Sequence, residues 1–222
     1  MNLQLPEMEG ANGQPVAIDD RAAPRFTLLI RPGKLHVGEA QYLCVIRDIS
    51  ATGVSIRLFH PIDWRGPVVL ELQTGDCYPV EQVWDRGAEA GFRFFDPIEV
   101  DSVIGHCSHY PKRDLRFEIR LPVVIQAQGQ AFPASVANLS RQGALVESDD
   151  MFAIGQAVML QAKGLSTIEA RIRWRKAKAY GLVFDTTFSL QQLALALQRF
   201  QHVAQPPNLP SMRMSGTAAE RD

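Results

Sequence analysis

Apolar and polar positions alternate in short runs along most of the chain, most plainly at residues 169–175, EARIRWR. Ala170, Ile172 and Trp174 fall on one side of an extended segment, and Glu169, Arg171, Arg173 and Arg175 fall on the other, because successive strand side chains point to opposite faces. The pattern predicts a strand with Trp174 in a core. Trp84, which follows Val83 in a similar run, is expected to do the same job rather than serve as a ligand platform. Comparable runs rich in Val, Ile, Leu and Phe recur between Gly, Pro, Asp and Ser turns, at the spacing of a β-sandwich or barrel. Closure into a barrel would hide the strand edges.

Two stretches change period. Residues 189–203 place Leu190, Leu193, Ala194, Leu197 and Phe200 on one stripe behind Ser189 as N-cap, which predicts an amphipathic helix packed on its barrel. Residues 96–111 carry Ile98, Val100, Val103 and Ile104 but also Gly105, so a short helix ending near Gly105 is expected.

These signals occur twice, about 90 residues apart. RDISATGVSIRL at 47–58 matches ANLSRQGALVES at 137–148, and VWDRGAEAGFRF at 83–94 matches RWRKAKAYGLVF at 173–184. Gly53 precedes Trp84 by 31 residues, as Gly143 precedes Trp174, and Trp84 precedes Gly91 by 7, as Trp174 precedes Gly181. The expected organisation is a tandem pair, 20–110 and 111–203. The flanks, 1–19 and 204–222, are polar and rich in Pro, Gly and Ser, with too little apolar surface to offset ordering entropy.

Composition adds limits. At 46% hydrophobic and 21% charged, the 222 residues are ordinary for a globular protein, and no apolar run reaches the roughly 20 residues of a membrane span. The N-terminus carries acids where a signal peptide needs bases, so a cytoplasmic address without membrane insertion is expected. Three separated cysteines, Cys44, Cys77 and Cys107, fit reduced thiols better than a disulfide framework. The net charge of -1 hides an asymmetry: residues 1–110 hold 9 Lys/Arg against 15 Asp/Glu, and 111–203 hold 12 against 7. Such a split can steer the halves together or steer one toward an acidic partner, or simply leave solvated faces.

The most suggestive chemistry lies at RAAPR, 21–25, and DISATG, 48–53. Guanidinium forks bind phosphate oxygens in pairs and stack on aromatic rings. An aspartate accepts from the N–H edge of a guanine, a serine donates or accepts, and a glycine permits close backbone approach. Together these suit a guanine nucleotide bearing two phosphates. A plain turn explains Asp48 and Gly53 but not the arginine pair.

At these two motifs the chain resembles the PilZ domain family, whose pattern is Arg-x-x-x-Arg before the first strand and Asp/Asn-x-Ser-x-x-Gly on a barrel strand. The resemblance covers roughly 20–108 and again 111–203. It implies an all-β fold of two tandem six-stranded antiparallel barrels, each followed by a C-terminal helix, and binding of the second messenger cyclic di-GMP. Arg21 and Arg25 would hold phosphates and stack on guanine, Asp48 and Ser50 would meet the guanine edge, and Gly53 would shape the turn. Asp20, ahead of Arg21, favours a single ligand. In the second copy Lys112 and Arg116 stand at the arginine positions, with Asn138, Ser140 and Gly143 at the turn. Lysine keeps the charge but loses the fork, so a weaker or vacant site is expected, and a partner-binding role for this copy.

The functional expectation is a receptor whose first domain binds cyclic di-GMP and whose second relays that event to a protein partner. The alternative is a ligand-independent interaction scaffold. His106, Cys107 and His109 cluster without a second ligand pair, so no metal or cofactor is expected. The basic residues Arg171, Arg173, Arg175, Lys176 and Lys178 alternate with apolar ones as a solvated strand face should, so no nucleic acid is expected. No catalytic signature is present, which argues against an enzyme.

Overall fold

The computed structural model describes residues 26–105 and 114–204. Asp20, Arg21, Arg25, Lys112, the His106–His109 cluster, residues 1–19 and residues 205–222 lie outside these residues.

The first half forms strands β1 (Phe26–Val37), β2 (Ala40–Ile49), β3 (Gly53–Leu58), β4 (Val68–Leu72), β5 (Cys77–Asp85) and β6 (Glu89–Phe94), followed by the short helix α1 (Val100–Gly105). The strands close antiparallel in the order β1-β2-β3-β6-β5-β4. The second half repeats the plan with β7 (Phe117–Ala127), β8 (Gln130–Leu139), β9 (Gly143–Glu147), β10 (Ala157–Gln161), β11 (Ile168–Lys176), β12 (Ala179–Phe184) and helix α2 (Leu190–Ala204), closed as β10-β11-β12-β9-β8-β7. Two closed barrels of six strands each are therefore present, as the alternating runs and the repeat predict.

Each barrel has its own core. Leu35, Ile46, Ile56, Leu70 and Phe92 fill the first, and Phe117, Ile125, Val146, Ile172, Tyr180 and Leu182 the second. Cys44 is fully buried in the first core, where burial pushes its thiol up to about 12, so it packs as a small apolar group. Helix α2 starts as expected: the Gln192 amide donates to Ser189 Oγ at 3.1 Å and the Ser189 amide donates to Gln192 Oε1 at 2.9 Å, a reciprocal cap.

Two expectations need correction. Helix α2 packs on β7 of its own barrel and also on β2 of the first. Its buried stripe, Leu193, Ala194, Ala196, Leu197 and Phe200, is wide enough for both surfaces, and Leu43 of β2 joins the second core. The second correction concerns the tryptophans: Trp174 is 41% exposed and Trp84 only half-buried. A bulge between Ile172 and Trp174, and another between Gln82 and Trp84, inserts one residue into each strand. Two adjacent side chains then face outward and the alternation reverses.

The barrels meet at the start of β7. Lys34 of β1, only 7% exposed, donates from Nζ to the Arg116 carbonyl at 2.9 Å, pairs with Glu71 at 2.8 Å and lies 5.7 Å from the Phe117 ring centroid. The Glu118 amide donates to Gln41 Oε1 at 2.9 Å.

Candidate functional site

The bulge turns Trp84 outward onto the next strand, and from there cross-strand partners form a continuous row over the first barrel. Trp84 on β5 faces Gly91 on β6, Gly91 faces Ser55 on β3, Ser55 faces Asp48 on β2, and Asp48 faces Thr27 on β1. Partners in a ladder project to the same side of a sheet, so the row from Trp84 to Asp48 crosses four strands on the outer face, and β1 continues its register.

Each member has a local reason to be there. The indole lies flat on Gly91, where an added Cβ would come within 2.0 Å of Trp84 Nε1; this contact explains the seven-residue spacing. Ser55 Oγ donates to Asp48 Oδ2 at 2.9 Å, which fixes the carboxylate on the surface. One step along, Arg93 pairs with Glu81 at 2.5 Å, and the Arg86 guanidinium stands 5.3 Å from the Trp84 ring centroid.

Ser50 and Gly53 lie at the rim, and their geometry is that of a locked turn. Ser50 is 4% exposed; its amide and its hydroxyl donate to the Gly53 carbonyl at 2.8 and 3.2 Å. The Gly53 amide is 3.1 Å from Ser50 Oγ. A Cβ on Gly53 would approach the Phe92 carbonyl oxygen to 2.9 Å, so close strand approach, not a left-handed backbone, is what calls for glycine. Together Asp48, Ser50, Gly53, Ser55, Trp84 and Arg93 border a trough of about 210 Å³, polar along much of its lining. The trough can present one carboxylate, one guanidinium and an indole edge to a ligand.

Thus the structure brings together three of the five predicted residues, Asp48, Ser50 and Gly53. Arg25 immediately precedes β1, whose second residue, Thr27, pairs with Asp48. Trp84, Ser55 and Arg93 are candidates that the strand pattern did not single out. The constant spacing from Trp84 to Gly91 was the one signal for the tryptophan, and none marked the other two.

The second barrel carries the same row with different chemistry. Trp174 faces Gly181, Gly181 faces Leu145, Leu145 faces Asn138, and Asn138 faces Glu118. Leu145 thus stands where Ser55 does, and Val183 where Arg93 does. Phe117 faces Leu139 as Phe26 faces Ile49, a register that agrees with the sequence alignment of Arg116 with Arg25. The Ser140 amide and hydroxyl donate to the Gly143 carbonyl at 2.9 and 3.1 Å. A Cβ on Gly143 would sit 2.1 Å from the Leu182 carbonyl oxygen. The turn accounts for both residues without a ligand.

The family description PilZ domain matches residues 19–107 and again 111–200. A search of the curated proteins finds no match. Among solved structures, the chain is similar to PlzA of Borreliella burgdorferi in complex with c-di-GMP, at 14% identity and a TM-score of 0.33, covering 76% of this chain and 86% of that one. It is also similar to the Bacillus subtilis inhibitor of motility, at 16% identity and 0.34, covering 80% and 98%. For YcgR of Escherichia coli in complex with c-di-GMP the values are 11% and 0.26, covering 78% and 82%.

Proposed function

Because the chain belongs to the PilZ domain family, with two copies in tandem, we propose that it is a cytoplasmic cyclic di-GMP receptor of bacterial signalling. Its first barrel takes the nucleotide and its second relays the event to a protein partner. The observation that carries this reading is the outer row of the first barrel, in which an oriented Asp48 carboxylate and the Trp84 indole share one polar trough with Arg93.

The chemistry is recognition rather than catalysis. Arg21 and Arg25, just ahead of β1, supply guanidinium forks for the phosphates and flat faces for a guanine ring. Asp48 accepts from the guanine N–H edge, its oxygen held by Ser55. Ser50 and Gly53 keep the β2–β3 turn closed so that this carboxylate stays in place. Asp20, an acid beside the phosphate site, limits the complex to one ligand. In the second barrel Lys112, Arg116, Asn138, Ser140 and Gly143 retain the outline of a site, but Leu145 leaves Asn138 without a cross-strand hydroxyl and Glu118 adds an acid beside it. That copy therefore serves the relay.

Calorimetric titration of the purified chain with cyclic di-GMP tests the reading. One molecule bound per chain is expected, and no heat at micromolar protein would overturn it.

A further inference from the structure

We propose that the outer face of the second barrel, around Trp174, Leu145 and Val183, is a docking surface for an acidic protein segment that carries an apolar anchor side chain. The inference deepens the reading above by giving the relaying barrel a surface and its partner a chemistry; it rests on that reading only in assigning the partner to this barrel.

Three observations carry it. First, at two positions of the row where the first barrel carries the polar Ser55 and Arg93, this barrel holds Leu145 and Val183, and Val183 is 46% exposed. An apolar side chain left in water at the centre of a sheet face is the informative kind of exposure.

Second, the open ring face differs. Both indoles lie on a glycine, but the outer face of Trp84 is covered by Arg86, while Lys176 occupies the Arg86 position in the second barrel. No cation stands over the Trp174 ring among the described residues. A lysine lacks the planar guanidinium that stacks, so the ring stays available as an anchor of the kind that dominates interfaces.

Third, the β11 side of the rim is basic, while Glu118 and Glu147 stand on the β7 and β9 sides. The bulge puts Arg173 beside Trp174 on the outside, and Lys176 follows two residues on; neither makes an ion pair among the described residues. Arg171 flanks Val183, held at 3.6 Å by Asp185. An apolar centre with one cationic edge complements a segment of opposite design laid along β11. The reversed alternation also removes the ground on which these residues read as an ordinary solvated face.

The test uses the full chain, isotope-labelled at the tryptophan indoles. The probe is a synthetic Glu/Asp peptide of about 12 residues, enough to lie along one strand, with a central Leu-Phe pair. Three controls accompany it: its Lys counterpart, an acidic peptide without the pair, and a single-stranded oligothymidine. The acidic apolar peptide is expected to shift the Trp174 indole signal and to bind about tenfold more tightly than either peptide control, as a central aromatic anchor does. Arg173→Glu/Lys176→Glu, which alters only exposed side chains, should weaken it by about tenfold; Trp174→Ala should do the same if it folds. Equal binding of the Lys peptide, no binding of the acidic one, or displacement by oligothymidine at equal concentration would each overturn the proposal. Cyclic di-GMP added to the same sample separates the two readings. A shift at Trp174 would make this face a nucleotide site and end the docking proposal, whereas no shift at any tryptophan tells against the receptor reading and leaves the peptide result standing.

Discussion

The same row of four cross-strand positions runs over both barrels, and the two rows differ in kind. Trp84, Gly91, Ser55 and Asp48 give an oriented carboxylate beside a covered indole; Trp174, Gly181, Leu145 and Asn138 give an open indole beside an apolar wall. What the copies share, the tryptophan on its glycine and the serine that closes the turn, sets the shape of the face. What differs is the chemistry set around that shape. A repeat thus sorts its own residues into those that hold the barrel and those that were free to change function.

The sharpest way to break this division is at the turn glycines, which belong to the holding class. Gly143→Ala drives a Cβ to 2.1 Å from a main-chain oxygen of β12 that cannot rotate away. It should cost about 3 kcal/mol, at the upper end for overpacking. Gly53→Ala meets its carbonyl at 2.9 Å and should cost about 1 kcal/mol, since a few tenths of an ångström of relaxation suffice. Denaturant unfolding of both variants checks the ranking. Equal losses would mean that the two turns are equally tight.

Ligand contacts come next. Arg25→Ala should lose about 1.5 to 3 kcal/mol of cyclic di-GMP binding, as a charge-assisted contact does, with the melting temperature little changed. Arg116→Ala should lose much less, because Leu145 stands in the place of Ser55 and Glu118 puts an acid next to the site. Equal losses would make the second copy a site of similar weight.

Converting one row into the other is a finer test. Ser55→Leu removes the hydroxyl that donates to Asp48 at 2.9 Å and installs the side chain found at Leu145. Binding should fall by about 1.5 kcal/mol, the worth of a hydrogen bond to a charged group. Leu145→Ser should not create a site in the second barrel, since Asn138 and Val183 remain. Calorimetry on both proteins decides. Unchanged binding in Ser55→Leu would show that Asp48 needs no orientation.

Much of this was legible in the chain. The repeat, the strand runs and the Ser189 cap follow from periodicity and local hydrogen bonding, which act over a few residues. The tryptophans were misread because a single bulge residue after Ile172 or Gln82 reverses the parity of the strand, and nothing in the identities of Arg173 or Val83 announces it. Ser55 and Arg93 could not be found from their neighbours, since each joins the site only through a partner on another strand. The second contact of α2, on β2, was hidden for the same reason: a wide stripe says how much is buried, not against which barrel.

The smallest expected effect asks whether the two faces are independent. Lys34 is buried where the barrels meet, with Glu71 at 2.8 Å and the Arg116 carbonyl at 2.9 Å. Lys34→Met keeps an unbranched apolar stem and removes the ammonium. Glu71 keeps His36 at 2.8 Å and is partly open to water, so the carboxylate is not stranded. The Arg116 carbonyl loses its donor, and the penalty should be about 1 kcal/mol, that of one hydrogen bond in a half-wet site. Urea unfolding measures it, and nucleotide titration of the same variant measures the coupling. Lys34 pairs with β4, away from the Asp48 row, so affinity should hold while stability falls. A joint loss of both would show that the seam reaches the trough, and the start of β7 would then lie on the route from ligand to relay.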